Sequence, residues 1–483
     1  MTGKASRRST RPFSVERHGG GWRARVREHT TGRLITVASG CEEERDAEAA
    51  GWKYLNEITE GTWRDPQRGQ MLLRTYIDKR WWPAQRLALN TKAQYRSLLI
   101  HHILPMFGDR PLASITSPEE VATWEIGLHE QPQAPGGKPL SVNSARKCRK
   151  LLALILSDAV TADLISRNAA RIPRRRGMAA SEARAAAAEA DQEPWTNPLQ
   201  ALLIAERAAL LSGRDEEFVE VITLHYTGMR WGEIIGLEAP SVKPGSIRIW
   251  WQLAEVNGVF VKIPPKYGSR RTIDIASFLW DLISAHLRAT ESRECSCDRF
   301  SGTPLCEGTR HVFLGRRKDQ PGSGNQEDHW GVHQRRSGYA AWIFKPAATG
   351  WYPQRKPQPA HPVPVTAAPW PGVPVRGRNA HGRAQACWLP ILPGAKPHSC
   401  RHGRQTCMDG HGVQKVLRDL VMGHRTAGME GIYAHVTPES RAALAAADEA
   451  DWNSSLAARA DISPHSPVAI LDGLLAPFRD AQA

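Results

Sequence analysis

The sequence lacks any apolar run approaching the ~20 residues that a membrane-spanning helix needs. Residues Met1 to Arg11 are basic and polar, without the apolar stretch of a secretory signal. The expectation is therefore a cytoplasmic protein with no membrane partner. Cysteine is sparse: eight in 483 residues, irregularly spaced, reads as reduced thiols rather than as a disulfide framework. Acidic residues are in deficit, 49 against 64 Lys and Arg, which leaves a formal net charge of +15. That balance favours a polyanionic partner. A membrane surface is also polyanionic, but no basic amphipathic helix dominates the chain. At this length two to four domains are expected.

What the chain does have is a dispersed set of residues suited to phosphodiester chemistry. Thr227-Gly228-Met229-Arg230-Trp231-Gly232-Glu233 is followed some 170 residues later by Pro397-His398-Ser399-Cys400-Arg401-His402. Met422-Gly423-His424 and Ile432-Tyr433-Ala434-His435 come next, and Tyr433 lies nine residues after His424. Two guanidiniums can fork onto non-bridging phosphate oxygens. A histidine can move protons near neutrality, and a tyrosine can be a covalent nucleophile. His398 and Arg401 at i, i+3 share one face if the segment is helical.

These residues resemble the active site of the tyrosine recombinases, the integrases of phages and mobile elements. The family's TGxRxxE-like turn is matched by Arg230 with Glu233, its HxxR by His398 and Arg401, its GH by Gly423-His424, and its nucleophile by Tyr433. The family's catalytic lysine lies on a β-hairpin, which Ile263-Pro264-Pro265-Lys266-Tyr267-Gly268-Ser269-Arg270-Arg271-Thr272-Ile273 resembles; Lys266 is the matching position. An isolated HxxR is most often a solvated helix face; the ordered set carries the weight.

The expected fold is multidomain, mainly α with small β elements (α+β). Residues 1–65 read as a β-rich module similar to the amino-terminal arm-binding domain of many integrases. Trp22 to Arg27 alternates strictly, so a strand there places Trp22, Ala24 and Val26 on one face and Arg23, Arg25 and Arg27 on the other. A second strand is expected over Leu34 to Ala38 and an acidic helix over Glu42 to Leu55. The arginine face suits a DNA groove, and a solvated edge strand is the alternative. Residues 68–173 read as all-helical and resemble the family's core-binding domain. There Thr91 is placed as a cap for a helix ending near Pro105, Ser117-Pro118-Glu119-Glu120 as a helix start, and Ser141 at the head of a longer helix. On that last helix Arg146, Lys147 and Lys150 are candidate DNA contacts, with Arg149 beside them.

Residues 174–194 read as a linker and 195–450 as a mixed α/β catalytic domain, with strands over 246–252, 259–263 and 271–275. An insertion is expected at about 291–397, its second half rich in Pro, Gly and Trp, where a structureless loop of such length is uncommon. A tail over 451–483 is expected to pack against a neighbouring protomer, as family tails often do. Cys295, Cys297, Cys306 and His311 are of zinc-ligating type. Their C-x-C start and the absence of a second pair at finger spacing favour free thiols, with structural zinc as the alternative.

The resemblance implies a site-specific DNA recombinase, with no metal and no cofactor, that cleaves and rejoins DNA through a 3′-phosphotyrosyl bond. It also implies double-stranded attachment sites and a tetramer on DNA, with an excisionase and a DNA-bending host protein as further candidate partners. Two other readings stand beside it. One is a nicking-closing topoisomerase or hairpin resolvase using the same chemistry, and the other is a non-enzymatic DNA-binding regulator.

Overall fold

The computed structural model describes residues 12–27, 32, 34–60, 68–132, 137–171, 193–290, 310–315, 333–352, 358–359, 390–424 and 436–480. The chain is mainly helical with small antiparallel sheets and divides into two compact units, Met1–Arg176 and Gly177–Ala483. Among the described residues no helix is long and apolar enough to cross a membrane. The linker read over 174–194 lies outside the described residues except for its last two.

The first unit opens with a three-stranded antiparallel sheet, β1 (Ser14–His18), β2 (Gly21–Arg27) and β3 (Leu34–Cys41), in that order. One strand more than expected is present, and β3 runs past Ala38. Ala24 and Val26 are buried, as the alternation of β2 requires, and Phe13 and Tyr54 complete that small core. The helix expected over Glu42 to Leu55 is α1 (Glu44–Thr59). Its Gly51 is a contact requirement: a Cβ there would sit 2.3 Å from the Phe13 ring.

The remainder of this unit is helical. Helix α2 covers residues 73–84 and α3 residues 89–107, followed by α4 (Pro118–Glu130) and α5 (Val142–Thr161). Their core gathers Leu73, Trp81, Ile103, Phe107, Leu152 and Ile155. Ser117 and Ser141 cap α4 and α5 as expected, accepting hydrogen bonds from the Glu120 and Ser144 amides at 3.1 and 3.2 Å. Thr91 does not cap α3, which starts at Leu89 behind Ala88. The helix α3 does end near Pro105, as expected, but runs past the proline to Phe107.

The reason is local. Helix α2 widens into a π turn at Ile77–Trp81, ahead of Pro83, and α3 does so at Leu99–Ile103, ahead of Pro105. A proline has no N–H to give and its ring crowds the carbonyl four residues back. A wide turn moves that carbonyl away, so the helix passes the proline instead of ending at it.

The second unit contains α6 (Pro198–Ser212), α7 (Asp215–Thr227) and the short α8 (Trp231–Ile235). The strands β4 (Val242–Lys243), β5 (Ser246–Ile249), β6 (Gln252–Val256), β7 (Val259–Ile263) and β8 (Arg271–Asp274) follow. They form two antiparallel sheets, β4-β5-β8 and the hairpin β6-β7. The strand expected over 246–252 is thus broken at Trp250-Trp251. The hairpin tip is Asn257-Gly258, both at positive φ, and Lys266 lies on the connection between the two sheets rather than on that tip.

Next come α9 (Ser277–Ala289) and α10, residues 336–349, which holds a third π turn at Ala340–Phe344 ahead of Pro346. Phe344, Ala347 and Ala348 are fully buried, so this part of the expected 291–397 insertion is core. Four further helices close the unit: α11 (Pro397–Gly410), α12 (Lys415–Met422), α13 (Pro438–Ile462) and α14 (Ala469–Asp480).

No break falls at 450, since α13 runs through it. Within the region read as a tail, Leu471 and Leu475 are fully buried in this chain's own core. Arg459 of α13 forks onto Glu206 of α6 at 2.8 and 2.7 Å, and Ser466 donates to the same carboxylate at 2.6 Å.

Helix α11 is locked to α13 by Arg404 and Asp448, a buried two-pronged pair whose second contact is 2.9 Å. Replacing Asp448 with Ala would strand a buried guanidinium. The expected cost is about 3–5 kcal/mol, read as a lower midpoint in chemical denaturation, with Arg404→Leu/Asp448→Leu recovering most of it.

Candidate active site

Helix α7 ends at Gly228, whose φ of 61° is left-handed. A Cβ there would also meet Met422 Sδ at 2.9 Å and Arg404 Cγ at 3.0 Å. The tight turn places Arg230 at the start of α8, where its amide donates to Glu233 Oε2 and its guanidinium to Glu233 Oε1, both at 2.9 Å. The same guanidinium reaches Ser269 Oγ at 3.4 Å and the Gly423 carbonyl at 3.2 Å. Glu233 has no exposed surface. Burial alone would raise its pKa, but hydrogen bonds and charge from Arg271 and then Arg230 hold it below the ordinary value.

Arg271 is the residue that sequence reasoning passed over. It sits on the inward face of β8, which it shares with Ile273, and grips Glu233 with contacts of 2.8 and 3.1 Å while donating to the Val421 carbonyl at 2.8 Å. An arginine in phase with the apolar side of a strand was the available signal.

Arg401, on α11, is 4% exposed. It donates to the carbonyls of Gly228 and Met422 and, at 3.1 Å, to His424 Nε2. Burial first, and Arg230 second, push its pKa down to about 9. Accepting from Arg401 requires a lone pair on Nε2, so His424 is neutral with its proton on Nδ1, which faces Asp419 at 3.9 Å. Burial and then Arg401 lower its pKa.

His398 lies one turn before Arg401, edge-on to His402 at 4.7 Å. Partial burial, then His402, Arg401 and Arg336, lower its pKa to about 4, with Glu193 opposing. Two positions hold this corner together. Gly403 is required because a Cβ would fall 2.1 Å from the Thr196 carbonyl oxygen, and Glu193 takes contacts from Lys396 and His402 at 3.3 and 3.2 Å.

The structure thus gathers Arg230, Glu233, Arg401 and His424, with His398 on the adjoining turn of α11. Lys266 stands on an exposed turn three residues before Ser269, its ammonium 4.9 Å from the Tyr267 ring. Tyr433 lies outside the described residues, as do Cys295, Cys297 and Cys306. His311 is buried edge-on to His333 at 4.7 Å. Away from this cluster, Arg23 and Arg25 share Glu16 of β1 at 2.6 and 3.5 Å, and Arg27 donates to the Gly32 carbonyl at 2.8 Å. The expected arginine face is therefore partly neutralised. Arg146, Lys147 and Lys150 are exposed, whereas Arg149 is buried against Glu125 at 2.9 Å.

A solved structure of the Tn1549 transposon integrase with a circular intermediate DNA superposes over 77% of this chain and 98% of that one, with a TM-score of 0.50 and 16% identity. This chain has the tyrosine-recombinase fold. The tyrosine recombinases lambda integrase, solved as a dimer on a COC′ core site, and XerA give TM-scores of 0.42 and 0.28 at 13% and 16% identity. The alignments cover 89% of this chain and 96% of lambda integrase, and 78% of this chain and 96% of XerA. No family model and no curated protein matches the sequence.

A histidine with a lowered folded pKa favours the folded state fully above its unfolded value of ~6.5 and loses that contribution as pH falls toward the folded pKa. The His398 ring is therefore expected to titrate near pH 4 by NMR, as its lowered pKa of about 4 implies. The acid-induced fall of the melting temperature between pH 6.5 and 4 should be shallower in His398→Gln. A ring titrating near 6.5 would show that His398 is not crowded by these charges.

Proposed function

We propose that this protein is a site-specific DNA recombinase, an integrase that cleaves and rejoins DNA through a 3′-phosphotyrosyl intermediate. The observation that carries the reading is the charge of the cluster. Three guanidiniums, Arg230, Arg271 and Arg401, are held around one carboxylate, Glu233. That leaves two positive charges to be met by an anion. A phosphodiester passing through a phosphorane-like transition state is a fitting one, because its charge grows as the reaction proceeds. Preorganised donors of this kind are each worth about 10²–10³ in rate.

In this reading Tyr433 Oη bonds to phosphorus, the bond to the 5′-oxygen breaks, and the leaving oxygen takes a proton from Lys266. His398 accepts the tyrosine proton. Its lowered pKa leaves it neutral at pH 7, and an anionic phosphate beside it draws that value back up. His424 and Arg401 hold non-bridging oxygens, and Glu233, gripped by Arg271, fixes Arg230. One ester replaces another, so no energy source is required. Four protomers on two duplexes complete strand exchange, with an excisionase and a DNA-bending host protein as further partners.

The domain reading is also part of the proposal. The sheet of β1 to β3 serves as an arm-site reader, the bundle of α2 to α5 clasps the core site through Arg146, Lys147 and Lys150, and the second unit is catalytic. Because Arg23 and Arg25 share Glu16, the arm contact rests more on Arg27 than their sequence suggests. Footprints on an attachment site should lose their distal part, and keep the crossover region, when residues 1–65 are removed; an unchanged footprint would refute the arm assignment.

Tyr433→Phe is the main test. It removes the only oxygen that can form the ester and should leave affinity close to that of the parent, since affinity comes chiefly from phosphate contacts. On a suicide substrate nicked near the crossover, the variant should give no covalent band in a denaturing gel. A surviving band would place the nucleophile elsewhere.

A further inference from the structure

Beside the cluster lies a patch that the proposed chemistry does not use. Strand β5 buries Ile247 and Ile249 and turns Arg248 outward, as a two-residue period requires. Trp250 and Trp251 then fill the corner between the two sheets, Trp250 keeping 38% of its surface exposed. The Arg248 guanidinium lies over the Trp250 ring at 4.0 Å. Arg270, from the connection that leads into β8, lies over Trp250 at 5.1 Å and over Trp251 at 4.9 Å. Lys262 also approaches Trp251, at 5.4 Å, but its charge is taken by Glu238.

The two arginines are different. Both are exposed, and among the described residues neither guanidinium has a carboxylate partner or a hydrogen bond. A guanidinium seated over an indole face is attracted to the ring quadrupole, and seating it there limits the rotamers of a long side chain while its in-plane N–H donors stay available. The position joins the patch to the site: Arg270 lies between Ser269, which Arg230 reaches, and Arg271, which grips Glu233.

We propose that Arg248 and Arg270, carried on Trp250 and Trp251, form a phosphate ledge that holds the DNA backbone next to the phosphodiester being cleaved. The proposal rests on the recombinase reading. Phosphate is favoured over an unstacked base because the arginines already cover the indole faces on which a base would stack. A fixed ledge beside the reacting phosphate limits the freedom of the strand, so it contributes to positioning as well as to affinity.

The test uses the full chain and a labelled 30-base-pair duplex of arbitrary sequence, because a backbone contact is independent of sequence. Binding is measured across a salt series for the parent and for Arg248→Gln/Arg270→Gln, and covalent yield is measured on the nicked substrate. Each phosphate contact contributes about 0.9 to the slope of log K against log salt. The double variant should therefore lose about 1.8 from the slope and roughly tenfold in affinity near 0.1 M salt, with lower covalent yield and an unchanged melting temperature.

A Trp250→Leu/Trp251→Leu variant keeps both charges but loses the platform, and should retain most of the slope while its covalent yield falls. A parental slope in the arginine variant would overturn the ledge. So would tighter binding of single-stranded DNA by that variant, which would reveal uncovered indoles stacking on bases. If the parent chain itself shows no duplex binding at low salt, the recombinase reading fails with it; a binding and cleaving parent beside an unaltered variant removes the ledge alone.

Discussion

Glu233 is the constraint on which the arrangement depends. A carboxylate with no exposed surface is tolerated inside a fold only when its charge is met and its lone pairs are used. Arg230 meets it from its own turn and Arg271 from a strand 38 residues later. Joining them to one acid fixes the start of α8 against the edge of β8. Because Arg271 also holds the Val421 carbonyl and Arg230 the Gly423 carbonyl, the end of α12 is drawn into the same frame. Arg401 enters from α11 and takes carbonyls at the ends of α7 and α12. Four separate stretches of chain are thus registered by one buried charge and the backbone acceptors around it.

Part of the site was legible, since Arg230, Glu233, Arg401 and His424 were read together and lie together. Arg230 with Glu233, and His398 with Arg401, are local spacings, readable because a single turn of chain fixes which side chains meet. Arg271 was not readable in that way, since its role needs the register of β8 beneath α8. Strand β1 escaped notice because Ser14–His18 offers only Val15 as an apolar residue, and with it went the knowledge that Glu16 occupies Arg23 and Arg25. The Trp250-Trp251 break was hidden by aromatic residues that strands ordinarily favour.

Proline does not end these helices at once: Pro105 and Pro346 each follow a π turn that carries the helix a few residues past it. Helix α10 in particular was absorbed into the insertion expected at about 291–397, although Phe344, Ala347 and Ala348 belong to the core. Likewise α13 crosses residue 450 without a break, because Trp452 and Leu456 are interior positions that continue the burial of Leu444. A composition boundary and a packing boundary need not coincide.

The surplus of positive charge around Glu233 has a consequence for the folded chain before any anion arrives. Burial first, and the like charge of Arg230 second, lower the pKa of Arg401, so its charged form is held there at a cost. The native state therefore carries a local electrostatic strain that residues of merely good packing would not impose. An anion entering the pocket relieves it and binds only the folded form, so occupancy and folding become linked quantities. An anion bound there would in that sense also act as a counter-ion of the fold.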